Sequence, residues 1–197
     1  MNDWVLDLCS GLGGFSEGFI LDHNWEVVRV ENNPLLKDVP NTELLDVLEW
    51  IDWLPEMISK RGRPALILAS PPCLEFSTAR TWAQGRVADP DMSIVEAIWD
   101  IIDFAKPPHW IVENVAGASP HFLVYFGRHK QKIGPFLFWG VFPHIIVPQG
   151  FKHSKAEHDV WSSDPLRANK KAKIPLEISN GILDGLASQT SLYQKWG

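Results

Sequence analysis

Cys73 and Glu113 are the two residues of this chain whose settings promise chemistry. Cys73 stands in Ser70-Pro-Pro-Cys-Leu-Glu-Phe-Ser77, and Glu113 opens Glu-Asn-Val 40 residues later. A thiolate is a strong nucleophile, and a carboxyl in apolar surroundings can hold and deliver a proton near neutrality. Together they can make an unreactive ring carbon nucleophilic. The thiolate adds to one carbon, the acid protonates the ring, and electron density collects on the neighbouring carbon. A third segment, Asp7-Leu-Cys-Ser-Gly-Leu-Gly-Gly-Phe15, has glycines that let backbone amides approach a ligand closely. Taken alone, that turn suits NAD, FAD, S-adenosylmethionine or a plain tight turn. Glu31, at the end of a second apolar run, is placed to accept hydrogen bonds from ribose hydroxyls. The pairing points to a nucleoside-bearing cofactor without selecting one.

An isolated cysteine in apolar sequence is usually a core residue. Here two prolines stiffen the chain before Cys73, at the end of the apolar run Ala65–Ala69, and aim its side chain into a crevice. A reactive thiol needs partial exposure and an electropositive setting. Arg80 and Arg86, in the loop that follows, are the candidates to supply that setting and to meet substrate. Trp82 in the same loop, Thr78–Asp91, is a further candidate for substrate contact; anchoring the loop is its competing role. Glu113 emerges from the apolar Trp110-Ile-Val, where burial raises a carboxyl's pKa. Asn114 reads as a brace for the backbone or the proline loop, not as a chemical group.

Short apolar runs and helical stretches must position these groups. Trp4–Leu8, Glu26–Val30, Leu44–Leu48, Ala65–Ala69 and Trp110–Val112 are strand candidates, and helices are expected over Phe15–Asp22, Trp50–Lys60 and Ser93–Ala105. The alternation predicts an α/β fold with a doubly wound, mostly parallel sheet, which binds ligands at the carboxyl ends of its strands. Each segment singled out above falls at such an end. After Ser119, prolines and glycines punctuate β-rich pieces, Pro135–Trp139 and Val141–Val147. His153–Lys173 reads as loop, and Leu176–Leu186 as a final helix begun by Pro175. The expected organisation is a core over 1–118, a small β-rich, basic appendage facing substrate over 119–174, and a helix over 175–197 that packs back on the core.

The chain has 197 residues, 45% of them hydrophobic and 21% charged, which is enough for one packed domain. No apolar run is long enough to span a membrane, and the start lacks a secretory signal. With Cys9 and Cys73 as its two cysteines, the expectation is a reduced cytoplasmic protein without disulfides. The net charge of −6 divides into −11 over residues 1–118 and +5 over 119–197. That asymmetry suits a later segment that faces phosphates, although Arg167–Lys173 alone fits a solvated lysine-rich stretch equally well. His144, His153 and His158 match no closed zinc pattern, and no metal is expected.

Asp7–Phe19, Ser70–Ser77 and Glu113–Val115 resemble, in order and spacing, the first, fourth and sixth motifs of the cytosine-C5 DNA methyltransferases. The likeness covers residues 4–118 and resumes at Ser179-Asn180-Gly-Ile, which is similar to the family's last motif. It implies a Rossmann-like fold of the S-adenosylmethionine-dependent type, with Cys73 as nucleophile and Glu113 as acid. It further implies that Leu12 and Gly14 border the methionine moiety and that Glu31 holds the ribose with Asn32 beside it. Asp46 and Val47 would contact the adenine, and Pro72 and Asn180 would line the donor pocket. The target cytosine would leave the DNA stack to reach Cys73.

Departures from the family pattern matter too. Cys9 stands where an aromatic is usual, Asn32 where tryptophan commonly follows the glutamate, and Leu74 where a polar residue is usual. The Gln-x-Arg-x-Arg element is absent; Arg128, Lys130 and Lys132 are the basic substitute at the same alternation. About 60 residues separate Val115 from Pro175, too few for a full target-recognition region. Low or very short sequence specificity is therefore expected, as would suit a bacteriophage or mobile element. Competing readings are the same chemistry on RNA or a free cytosine nucleotide, an accessory subunit active only with a partner protein, and an NAD-dependent oxidoreductase. A carboxylated S-adenosylmethionine is an alternative donor, its added charge met by Arg80 or Arg86.

Overall fold

A computed structural model describes residues 3–22, 24–74, 76, 90–153 and 163–196. Ser77, Arg80, Trp82, Arg86 and His158 lie outside the described residues, as does most of the loop 78–91. The strands are β1 (Trp4–Leu8), β2 (Glu26–Glu31), β3 (Thr42–Leu44), β4 (Leu66–Ala69), β5 (His109–Asn114), β6 (Gln131–Ile133) and β7 (Phe136–Val141). They form one sheet in the order β3-β2-β1-β4-β5-β7-β6. The pairs among β3, β2, β1, β4 and β5 are parallel, and β7 runs antiparallel to both of its neighbours.

The central strands read as continuous apolar runs because both of their faces are covered. Side chains alternate across the sheet with period two. Trp4, Leu6, Leu8, Ile67, Ala69, Val112, Leu137 and Trp139 pack into one core cluster. Val5, Leu66, Leu68, Ile111, Phe136 and Phe138 pack into the other. The first face is closed by α2 (Trp50–Arg61), α3 (Ser93–Ala105) and α4 (Ser119–Phe126), through residues such as Leu54, Ile98, Ile101 and Phe122. The second is closed by α1 (Glu17–Leu21) and the long α6 (Leu176–Trp196), through Phe19, Ile178, Ile182 and Leu186.

The expected β-rich appendage after residue 118 needs correction. Its strand residues belong to the main sheet: β6 and β7 form a hairpin that extends the sheet beyond β5. The rest of the region is mainly helical, with α4, α5 (Arg167–Ala172) and α6. Residues 142–147 follow β7 without regular strand structure, and Gln131 holds them by two side-chain bonds to the Ile145 backbone, of 2.7 and 2.9 Å. The third strand also lies earlier than its apolar run suggests. It is Thr42–Leu44 at the sheet edge, and a short 3-10 turn, Val47–Glu49, occupies the rest of the run. Among the described residues no helix is long and apolar enough to cross a membrane.

Candidate active site

The turn after β1 is built for tightness. Cys9, Gly11 and Gly13 have φ of 53°, 55° and 72°, a region that glycine enters without steric cost. Gly13 N–H donates to the Ser10 carbonyl at 2.8 Å, and Ser10 N–H to the Val30 carbonyl at 3.2 Å. Leu12 and Gly14 lie on this turn. A Cβ on Gly14 would sit 2.3 Å from the Ile174 carbonyl, so the residues before α6 press directly on it.

Glu31 receives backbone amides from both sides. Gly11 N–H reaches Oε2 at 2.8 Å, and Asn33 N–H reaches Oε1 at 3.0 Å. Next to it, Asn32 Nδ2 donates to Asp46 Oδ2 at 3.3 Å, while Asp46 Oδ1 caps the 3-10 turn by accepting from Leu48 N–H at 2.9 Å. Val47 is buried just behind. Cys9 reports how close these carboxylates are. Its thiol is pushed well above the usual range by burial, and then by the charges of Glu31, Asp7 and Asp46. The glycine turn, Glu31, Asn32, Asp46 and Val47 thus converge at the carboxyl ends of β1, β2 and β3.

The residues also suit a polar, nucleoside-bearing group. Asp7 Oδ1, Ser10 Oγ and Ser70 Oγ are buried at or beside the carboxyl ends of β1 and β4, with no hydrogen-bond partner among the described residues. Buried polar atoms without partners are rare and call for an explanation, and a ligand is one. Asn180 is placed differently. It lies in the first turns of α6, its Oδ1 2.5 Å from where a Gly18 Cβ would stand, and so borders α1.

The cysteine loop docks against the end of β5. Asn114 is buried, and its Nδ2 donates to the Pro71 carbonyl at 2.9 Å. Two residues beyond that anchor stands Cys73, half-buried; one residue before Asn114 stands Glu113, 7% exposed. Phe76 N–H closes a turn on the Cys73 carbonyl at 3.1 Å. The Phe76 ring is buried edge-on against Phe122, with centroids 5.4 Å apart. Gly117 completes the joint: a Cβ there would lie 1.9 Å from the Phe76 carbonyl. Pro72 and Leu74, on either side of the cysteine, are exposed.

Ser16 and Arg29, which the sequence did not single out, hold this arrangement together with Ser179 of the last motif. Ser16 Oγ donates to Asp7 Oδ2 at 2.6 Å and accepts from Arg29 Nε at 2.9 Å. Asp7 is fully buried, and its pKa is raised to about 6, chiefly by burial, with the Ser16 bond and the Arg29 charge acting the other way. Ser179 Oγ joins α6 to α1, donating to the Phe15 carbonyl at 2.7 Å and accepting from Gly18 N–H at 2.9 Å.

The basic residues are dispersed. Arg128 and Lys132 are exposed around β6, whereas the Lys130 ammonium contacts the Phe142 carbonyl and lies 4.7 Å from that ring's centroid. In α5, Asn169 lies against Gly11, and Lys173, just beyond the helix, pairs with Glu17 at 2.9 Å. Among the described residues no three His, Cys, Asp or Glu side chains gather as metal ligands; the His153 ring packs 5.1 Å from Phe136.

The type II methyltransferase M.HindV of Haemophilus influenzae is 31% identical over 121 residues, 56% of this chain and 36% of that protein. M.SacI of Streptomyces achromogenes, another type II methyltransferase, is 35% identical over 62 residues, 30% of this chain and 16% of that one. The chain therefore spans little more than a third of the length of these curated relatives at most. A solved Entamoeba histolytica methyltransferase, EhMeth, is similar with a TM-score of 0.42 at 19% identity, over 59% of this chain and 39% of that one. Residues 4–126, which carry the glycine turn, the cysteine loop and Glu113, match the family model of the C-5 cytosine-specific DNA methylases, and the chain belongs to that family.

Proposed function

We propose that the chain transfers a methyl group from S-adenosylmethionine to C5 of cytosine in DNA, through a covalent bond between Cys73 and the base. The observation that carries this reading is the joint between the two loops. Asn114 on Pro71 and Gly117 on Phe76 hold the cysteine segment against the end of β5, which carries Glu113. S-adenosylmethionine, when bound, supplies an electrophilic methyl on a sulfonium. Leu12, Gly14, Glu31, Asn32, Asp46 and Val47 hold it at the ends of β1, β2 and β3, with Pro72 and Asn180 at the margins. Glu31 keeps lone pairs for ribose hydroxyls, and the unpartnered acceptors near the turn suit a cationic amine.

The cytosine must enter extrahelical, because both of its ring faces and its edge have to meet protein. Cys73 thiolate adds to C6 while Glu113 donates a proton to N3, so that the ring becomes an enamine instead of an anion. C5 then takes the methyl as the bond to the sulfonium breaks, leaving a neutral thioether; a base removes the C5 proton, the thiolate leaves C6, and N3 returns its proton to Glu113. Arg80, Arg86, Arg128 and Lys130 are the proposed contacts to the nucleic-acid backbone. The domain division follows: 1–118 for donor and catalysis, 119–174 toward substrate, 175–197 as a brace. The short stretch between Val115 and Pro175 supports low or very short sequence specificity, since few side chains are there to read base edges.

The test uses oligonucleotides carrying 5-fluorocytosine with protein and donor, scored by intact mass. Fluorine blocks the elimination, so a covalent complex accumulates. The expected result is an adduct with DNA that Cys73→Ser reduces by at least about a thousandfold, while donor affinity stays within about twofold. RNA, free nucleotide, single- and double-stranded arms and varied flanking sequence identify the substrate. An adduct of undiminished yield with the serine variant would refute the mechanism. Adduct only after addition of a second polypeptide would support the accessory-subunit reading instead.

A further inference from the structure

Arg29 is an arginine in the interior of the molecule. It sits in the middle of β2 and is 3% exposed. Burying a guanidinium is costly unless its donors are satisfied, and an apolar side chain would commonly serve stability as well. Here the fork is spent on three elements. Nε donates to Ser16 Oγ at 2.9 Å, Nη2 to the Gly13 carbonyl at 2.6 Å, and Nη1 to the Pro40 carbonyl at 2.9 Å. Gly13 has no room for anything else: a Cβ there would lie 2.2 Å from the Arg29 Cζ. Ser16 passes the contact on to Asp7, and the charges of Asp7 and Glu17 face the guanidinium.

We propose that Arg29 is a positioning residue for the methyl donor, setting the shape of the glycine turn from behind. Three consequences of the geometry carry this. A trans peptide directs its C=O and N–H to opposite sides. Fixing the Gly13 carbonyl onto Nη2 therefore turns the Gly14 amide away from the arginine. The Pro40 contact ties the same guanidinium to the segment leading into β3, beyond which Asp46 follows. Finally, Ser16 stands just before α1, so its two bonds fix where that helix starts relative to the turn. One planar side chain thus sets the spacing between the two banks of the donor site, and lysine, a single point donor, cannot reach all three partners.

The inference rests on the reading that this turn holds S-adenosylmethionine. The test is calorimetric titration of the full chain with that compound, at a temperature where circular dichroism shows each variant folded. Arg29→Met is expected to weaken binding by at least about tenfold, with Arg29→Lys and Ser16→Ala intermediate. Adduct yield at saturating donor is expected to stay within about twofold of the parent for all three, the signature of lost binding rather than lost chemistry. Ile98→Val, a core change on the opposite face, lowers the melting temperature without moving the affinity and so separates positioning from general stability. If Arg29→Met does not fold, the other two variants decide. Affinities within about twofold of the parent in both would overturn the inference alone. A parent chain with no affinity for S-adenosylmethionine would remove the donor reading and this inference together.

Discussion

The two halves of the site are built by different means. Around the glycine turn the chain uses charge and hydrogen bonds: Glu31 cinched by two amides, Asp46 capped and bonded to Asn32, and Arg29 locked to Ser16 and two carbonyls. Around Cys73 shape is added to hydrogen bonds: Asn114 on Pro71, the Phe76 amide on the Cys73 carbonyl, and a glycine where any side chain would collide with Phe76. The difference suits the tasks. On the proposed reading, a donor that keeps one pose would meet a site whose groups are already oriented, so that little has to be ordered on binding. On the same reading the cysteine loop must admit a bulky base, and among the described residues it is fixed at Pro71 and Phe76 while Pro72 and Leu74, beside the cysteine, are exposed.

If that contrast holds, damage to the shaped half will impair turnover and spare the donor. The largest effect is expected at Gly117. In Gly117→Ala the new methyl would fall 1.9 Å from the Phe76 carbonyl, so the cysteine loop must shift. Displacement of a reacting group by about 1 Å costs on the order of a hundredfold in rate. Adduct kinetics and donor titration, measured side by side, check this; a loss shared equally between them would break the contrast. Asn114→Ala comes next. It leaves the Pro71 carbonyl without its buried partner, a change worth roughly 1–3 kcal/mol, and about a tenfold fall in adduct rate is expected. Rescue by Asn114→Gln is not expected, because the longer side chain overshoots a 2.9 Å contact between fixed strands.

The effect expected in the charged half is on stability, with the smallest change in turnover. Asp7 titrates near 6 in the folded protein against 3.8 ordinarily, so between those values the folded state holds a proton that the unfolded chain has released. Stability then falls as pH rises through that window and stays lowered above it. Asp7→Asn should remove this slope, which amounts to roughly 3 kcal/mol for a shift of about two pH units. Urea unfolding of parent and variant from pH 4 to 7.5 compares them; parallel pH profiles would show that Asp7 is not strained by burial.

Much of the frame was legible in the sequence because burial on both faces leaves an unmistakable apolar run, as in β1 and β4. The edge strand β3 was displaced in that reading for the complementary reason. Thr42 is only partly buried and Glu43 is exposed, so neither carries such a signal, whereas Leu44 and Leu48 look like core and are on the surface. Pairing was beyond local pattern: β6 and β7 read as β pieces, but nothing near them says that they extend the main sheet. At the site, Cys73, Glu113 and Glu31 announce themselves by standing at the ends of apolar runs. Ser16 and Arg29 do not, and Ser179, though part of a recognisable motif, gives no sign of its bonds. Their meaning depends on partners such as Gly18, 161 positions from Ser179, and only the fold brings those together.

The setting of Cys9 has a practical consequence. Burial first, and then the charges of Glu31, Asp7 and Asp46, hold this thiol above its usual range, so slow reaction with maleimides or iodoacetamide is expected. Since the chain has two cysteines, a fluorophore or spin label is expected to go first to Cys73, which peptide mass mapping of the labelled chain would check.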